Sequence, residues 1–366
     1  MPRIPVRFVA VLTACLACAT LPAAQSFESA GAVAQARLDA IVASGNTPGA
    51  SASVAVDGRV VWKGAAGLAR IEEGVAAAPE TRFGLGSISK ALTMAGVLRL
   101  VDGGVLDLDA PIEQYLPDFP HAGRGLTLRH IAVHQSGLSD AFETANYQTS
   151  DHYDTVDAAY RRIVAYPLEF DPGARNEYRT ASFTVVARVM EAAAGKPYLE
   201  IMREQVFEPL GLTSIVPNDP RVDLPERVRF YMTDDSGAFV RGPYYDPSFK
   251  LAGAGFIATA EDIAKFGAAL AAGPFLSDRA RRELITSVSL ADGTPTDWGV
   301  GLQSVTWQGR RMLHIPGGGI GISTWLFVFP DDRLSVAVLT NVPTGAAGGR
   351  TRSVIAGAFL EALGSR

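Results

Sequence analysis

Between Ala30 and Ser44 the apolar positions Val33, Ala36, Leu38, Ile41 and Val42 return at near-helical spacing, and Gly45 closes the run, which predicts a helix. The period then changes. ASASVAV and RVVWKGAAG, rich in valine, flank the two-residue turn signal Asp57-Gly58 and predict a hairpin. Near the other end RRMLHI, ISTWLFVF and RLSVAVLTN predict three more strands, the last two joined across Pro330-Asp331-Asp332, and Arg352 to Leu363 predicts a closing helix. From about Ile88 to Leu290 the pattern is mostly helical, with long connections such as LPDFPHAGRG and the segment from Asn218 to Pro247. A sheet drawn from both chain ends around a helical middle cannot be cut into sequential domains. One interleaved unit is expected, with a cleft where the sheet meets the helical part, and no internal repeat.

Composition supports a folded chain: 48% of the 366 residues are hydrophobic and 19% are charged. The opening MPRIPVRFVAVLTACLACATLPAAQS has a basic start at Arg3 and Arg7, an apolar stretch from Phe8 to Ala19, and small residues at Ala23 and Ala24. That stretch is too short to span a bilayer, so residues 1 to 24 are expected to be a cleaved signal and 25 to 366 the mature domain, secreted or periplasmic. Leu12-Thr13-Ala14-Cys15 offers the alternative of a lipoprotein anchor. Both cysteines, Cys15 and Cys18, fall in the signal, which excludes disulfides and thiolate metal sites from the mature chain. Loss of Arg3 and Arg7 takes the net charge from -5 to -7, and no basic run suggests nucleic acid. The expected partner is a small molecule or peptide, and no further segment is apolar for long enough to cross a membrane.

The helical run beginning GLGSISKALTMAGVLRL places Ser87 and Lys90 one turn apart on one face, in a stretch that offers little other polar surface. A lysine in a low-dielectric site can lose its proton near neutral pH and activate a serine hydroxyl. The helix start also presents free backbone N–H groups suited to a developing oxyanion. Against this stands the plainer possibility that Ser87 only caps the helix and Lys90 lays its stem along the core. Of the five lysines, only Lys90 has a serine three positions before it.

FGLGSISKALTMAGVLRLVDGGVLDLD resembles the nucleophile segment of the serine beta-lactamase and penicillin-binding protein family, in the class C branch with its esterases and D-amino peptidases. LTLRHIAVHQSGL, DPGARNEYRTASFTVVARVME, FEPLGLTS, LAGAGFIATAEDIAKF and HIPGGGIGISTWLFVFPDDRLSVAVLTN continue the resemblance in family order from about Pro48 to Asn341. It implies an α/β (α+β) fold of the beta-lactamase/DD-peptidase type. In that fold an antiparallel sheet from both chain ends is flanked by terminal helices and carries a large inserted all-helical region. It further implies a Ser87 acyl-enzyme, with Lys90 and Tyr178 moving the proton. Tyr178 would act as a general base, its phenolate favoured by the nearby Lys90 cation. The family's tyrosine is followed two residues later by asparagine, and Thr180 stands there instead, which argues against efficient antibiotic hydrolysis. The family's third motif falls at His314-Ile315-Pro316-Gly317-Gly318-Gly319, where one extra residue leaves His314 or Ile315 to fill the polar position. His314 is the preferred choice, because it could orient the tyrosine or a substrate carboxylate. Gly317 or Gly318 would donate an N–H to complete the oxyanion hole with Ser87.

His130 and His134 are expected to brace a loop, and no histidine pair has zinc-site spacing, so neither metal nor cofactor is implied. Tyr244, Tyr245, Phe249 and Trp325 could wall the cleft or serve the core. No GxSxG elbow occurs, which removes the α/β-hydrolase alternative. The competing reading is a catalytically inactive binding or scaffold protein on the same fold. A beta-lactam, a D-amino peptide or an ester all suit the sequence as substrate.

Overall fold

The computed structural model describes residues 23 to 364. The expected signal, apart from its last two residues, lies outside the described residues. Seven strands, β1 (Gly49–Val56), β2 (Arg59–Arg70), β3 (Val75–Ala76), β4 (Gln303–Trp307), β5 (Arg310–Gly319), β6 (Ile322–Phe329) and β7 (Leu334–Thr340), form one sheet in the order β3-β2-β1-β7-β6-β5-β4. All pairings are antiparallel, and β1 meets β7 with Ser53 opposite Ala337, so the two chain ends close into one sheet.

Alternation along the strands sorts the side chains between two layers. Val54, Phe327, Phe329 and Val338 face the terminal helices α1 (Ala23–Ala43) and α5 (Gly345–Gly364), where they pack with Leu38 and Phe359. Leu326, Val328, Ala337 and Leu339 face the other way, into the core shared with α2 (Ile88–Asp102), α3 (Ser182–Ala194) and α4 (Ala260–Ala271). Covered on both faces, β1 is buried along its whole length. Helix α4 packs against the sheet at Gly267, where a Cβ would stand 2.1 Å from Ser335 Oγ, so glycine is what permits this approach. No helix among the described residues is long and apolar enough to cross a membrane.

The fold class matches the expectation, with corrections at the edges. β5 runs on past RRMLHI through Pro316 and three glycines, because pairing with β6 as far as Gly319 opposite Ile322 holds a stretch of poor intrinsic strand preference. The middle is not all-helical. Phe83–Gly84 and Val216–Pro217 both pair with Phe256–Ala258, and Tyr231–Thr233 pairs with Phe239–Arg241 inside a segment read as a connection. Strands of two or three residues are too short to show a period.

Candidate active site

Ser87 immediately precedes α2 but does not cap it; its hydroxyl makes no hydrogen bond to the helix backbone. The entry to the helix is held from two sides: Leu85 N donates to Phe256 O at 2.9 Å, and Thr324 Oγ1 donates to Leu85 O at 2.8 Å. Gly86 turns the chain with a φ of +53°, and a Cβ there would lie 2.8 Å from both N and O of Gly318. Only glycine tolerates that turn so close to another backbone, and the contact sets Ser87 beside β5.

Helix α2 is buried on nearly every side, and Lys90 has no exposed surface. Its Nζ donates to three acceptors, Ser87 Oγ, Thr180 Oγ1 and Gly253 O, each at 3.1 Å. Burial pulls the amine pKa from its ordinary 10.5 down to about 7; the Glu143 carboxylate opposes this and the Lys250 ammonium adds to it. Thr180 therefore keeps one function open to the absent asparagine, an oxygen offered to the lysine.

Tyr178 is packed against His134, with ring centroids 4.2 Å apart, and against Trp298 at 5.9 Å. Lys90 Nζ lies over the Tyr178 ring, 4.6 Å from its centre. Ser87 and Thr180 are hydrogen-bonding neighbours of the phenol. As a whole residue Tyr178 is 44% exposed, yet enclosure of the phenol raises its pKa. This corrects the phenolate expectation. An amine that has lost about half of its charge by pH 7 stabilises a phenolate less than a full ammonium would, so desolvation prevails.

A cavity of about 580 Å³ joins these groups, lined on one side by Ser87, Tyr178, Thr180 and Trp298 and on another by Pro316, Gly317 and Gly318. His314 does not line it. Strand alternation puts His314 and Pro316 on the same face of β5, but two residues apart, about 6.6 Å along the strand. Pro316 therefore borders the cavity while Ile315 is fully buried in the core, so neither candidate weighed for the polar position holds it. His314 stacks edge-on with Phe327, and burial, aided by the Arg352 cation, lowers its pKa to about 4. Of the two glycines, Gly317 is packed, since a Cβ would stand 2.1 Å from Leu85 O, whereas Gly318 has open space on its Cα.

Further residues enter that sequence reasoning did not single out. Glu143 and Lys250 line the cavity and pair at 3.0 Å, and Trp298 and Gln303 complete its wall. Their sequence separation leaves no periodic signal. Tyr245 and Trp325 do wall the cavity, while Phe249 packs in the core on Phe142 and Tyr244 is exposed. His134 braces Tyr178 rather than merely a loop. A second cavity, of about 780 Å³, lies behind Leu251 and Ala252 and contains His152, Asp219 and Asp246 near enough to share a cation. There His152 Nδ1 is already 2.8 Å from Asp246 Oδ2, and Asp219 is clamped by Arg221.

Residues 34 to 358 match the family model described as Beta-lactamase. The chain belongs to the beta-lactamase family. The family resemblance drawn from the motifs, and the enzyme reading that goes with it, hold at that level. Among beta-lactamase relatives, the chain is 27% identical to the mitochondrial serine beta-lactamase-like protein LACTB of Mus musculus, over 88% of this chain and 76% of that one. It is 29% identical to esterase EstB of Burkholderia gladioli, over 87% of this chain and 93% of the esterase. A D-stereospecific amidohydrolase from Streptomyces sp. superimposes with a TM-score of 0.72 at 27% identity, covering 88% of this chain and 98% of that structure.

Proposed function

We propose that the protein is a serine hydrolase that cleaves an ester or amide through an acyl-enzyme on Ser87. The carrying observation is the 3.1 Å contact between Ser87 Oγ and a fully buried lysine amine whose pKa is near 7. In its neutral form Lys90 Nζ accepts the Ser87 proton as Oγ attacks the carbonyl. The backbone N–H groups of Ser87 and Gly318 receive the oxyanion, which suits the open side of Gly318. Tyr178, protonated because its pKa is raised, passes its proton to the leaving group and is reprotonated from Lys90. Water then enters by the reverse relay, releasing the acid and restoring Ser87.

The names of the matched esterase and amidohydrolase support a carbonyl substrate of one of these two kinds. We also assign the protein to the secreted or periplasmic space on the pattern of residues 1 to 24. N-terminal sequencing of the exported form, with a start near Gln25, tests that assignment. For the chemistry, the purified protein and Ser87→Ala are incubated with a fluorophosphonate probe and a chromogenic ester. Labelling and turnover confined to the unmutated protein are expected; equal behaviour of the two overturns the reading.

A further inference from the structure

Two segments far apart in the chain hold the amine of Lys90 beside Ser87: Thr180 through its hydroxyl and Gly253 through its carbonyl, each at 3.1 Å. The segments also meet each other, since a Cβ at Gly253 would stand 2.4 Å from Thr180 O. Glu143 is bonded to both. Its Oε2 accepts the backbone N–H of Ala181, the residue after Thr180, at 2.9 Å. Its Oε1 accepts the ammonium of Lys250, three residues before Gly253, at 3.0 Å. Glu143 and Lys250 are both buried, and a buried ion pair gives little net stability against the desolvation it costs. What this pair does give is register: one side chain fixes the chain next to each acceptor of Lys90.

Resting on the reading of Ser87 as nucleophile and Lys90 as its base, we propose that Glu143 is a positioning residue for Lys90, clamping the Thr180 and Gly253 segments around the amine and lending it a compensating negative charge. The neighbouring groups leave this task to Glu143. Tyr178 keeps its proton, and His134, packed on the Tyr178 ring, is held neutral at pH 7 by burial and by the Lys90 and Arg179 cations. Asp140 and Tyr147, at the two ends of the helix Ala141–Asn146, are raised by burial and then by Glu143 itself. The charges acting on Lys90 are those of Glu143 and Lys250, and the carboxylate is the stronger of the two. The ammonium formed when Lys90 takes the Ser87 proton is thereby stabilised at the step where it forms.

The test is the titration of Lys90 itself, followed by NMR in protein made with isotope-labelled lysine, the Lys90 signal being the one lost in Lys90→Arg. Glu143→Gln keeps an oxygen for the Ala181 N–H and removes the charge. The Lys90 titration, and with it the acid limb of kcat/KM for a p-nitrophenyl ester, should move to lower pH by about half a pH unit or more. Glu143→Asp keeps the charge but shortens the reach, so its titration should stay nearer that of the unmutated protein while kcat falls. Should Glu143→Gln not fold, because it strands the Lys250 ammonium, the double variant Glu143→Gln/Lys250→Met removes both charges. Its Lys90 titration should again move down, because the stronger of the two charges raises it. A titration that stays in place or moves up in the variant that folds, or a shift as large in Glu143→Asp as in Glu143→Gln, overturns the proposal. The NMR titration needs no turnover, so it decides this inference apart from the nucleophile, which Ser87→Ala with the same ester tests.

Discussion

The amine of Lys90 stands over the ring of Tyr178, 4.6 Å from its centre, while Lys90 also reaches Ser87 Oγ at 3.1 Å. One lysine thus touches both the alcohol proposed to attack and the phenol proposed to serve the leaving group. Burial moves the two titrations apart, lowering the amine to about 7 and raising the phenol. Opposite shifts of this kind divide the roles: a base that is free near neutral pH and an acid that keeps its proton.

The pH dependence follows from those shifts. Because the neutral amine is the active form, kcat/KM should rise through an apparent pKa of about 7 and level off above it. The raised phenol pKa keeps Tyr178 protonated, so no second rise accompanies phenolate formation below pH 10. A bell centred well below 7 in the measured profile would contradict the assignment. Lys90→Arg, whose guanidinium stays charged, should abolish turnover at every pH tested.

Thr180 supplies one of the three acceptors that hold the Lys90 ammonium. Replacing it by valine keeps the shape but withdraws a hydrogen bond that favours the charged amine. The acid limb of the Thr180→Val profile should move below its position in the unmutated enzyme. A limb that stays in place would mean that this contact does not tune the amine.

Tyr178→Phe retains the ring packed between His134 and Trp298 and removes only the hydroxyl. A fall in kcat of about 10²-fold to 10⁴-fold is expected, with thermal stability within a few degrees of the unmutated protein. Stopped-flow measurement of acylation would locate the loss in leaving-group expulsion.

Neighbouring glycines should respond differently to alanine. At Gly317 a Cβ would stand 2.1 Å from Leu85 O, a backbone atom that cannot swing aside, so Gly317→Ala should destabilise by about 2 kcal/mol or more. Gly318 has nothing within 4 Å of that position, so Gly318→Ala should change stability by less than about 0.5 kcal/mol while narrowing the cleft beside Ser87. Urea unfolding of the two variants, with ester kinetics on the second, checks both statements.

Much of this arrangement is legible in the order of residues. Valine-rich alternation on each side of Asp57-Gly58 and through the last three strands specifies the two ends of the sheet, because inward and outward positions repeat locally. The SxxK spacing places serine and lysine on one helix face for the same local reason, and the apolar run around Lys90 signals the burial that lowers its pKa. What the chain order does not contain is convergence. The partners of Lys90 at Thr180 and Gly253 lie 90 and 163 residues away, and Glu143 finds Lys250 across 107. Only packing brings such groups together, through α2 wedged between the sheet and the helical part. Packing likewise decided that Tyr178 keeps its proton and that Pro316, not His314, borders the cavity. Desolvation, and the side of a wall to which a group belongs, depend on neighbours that no local period encodes.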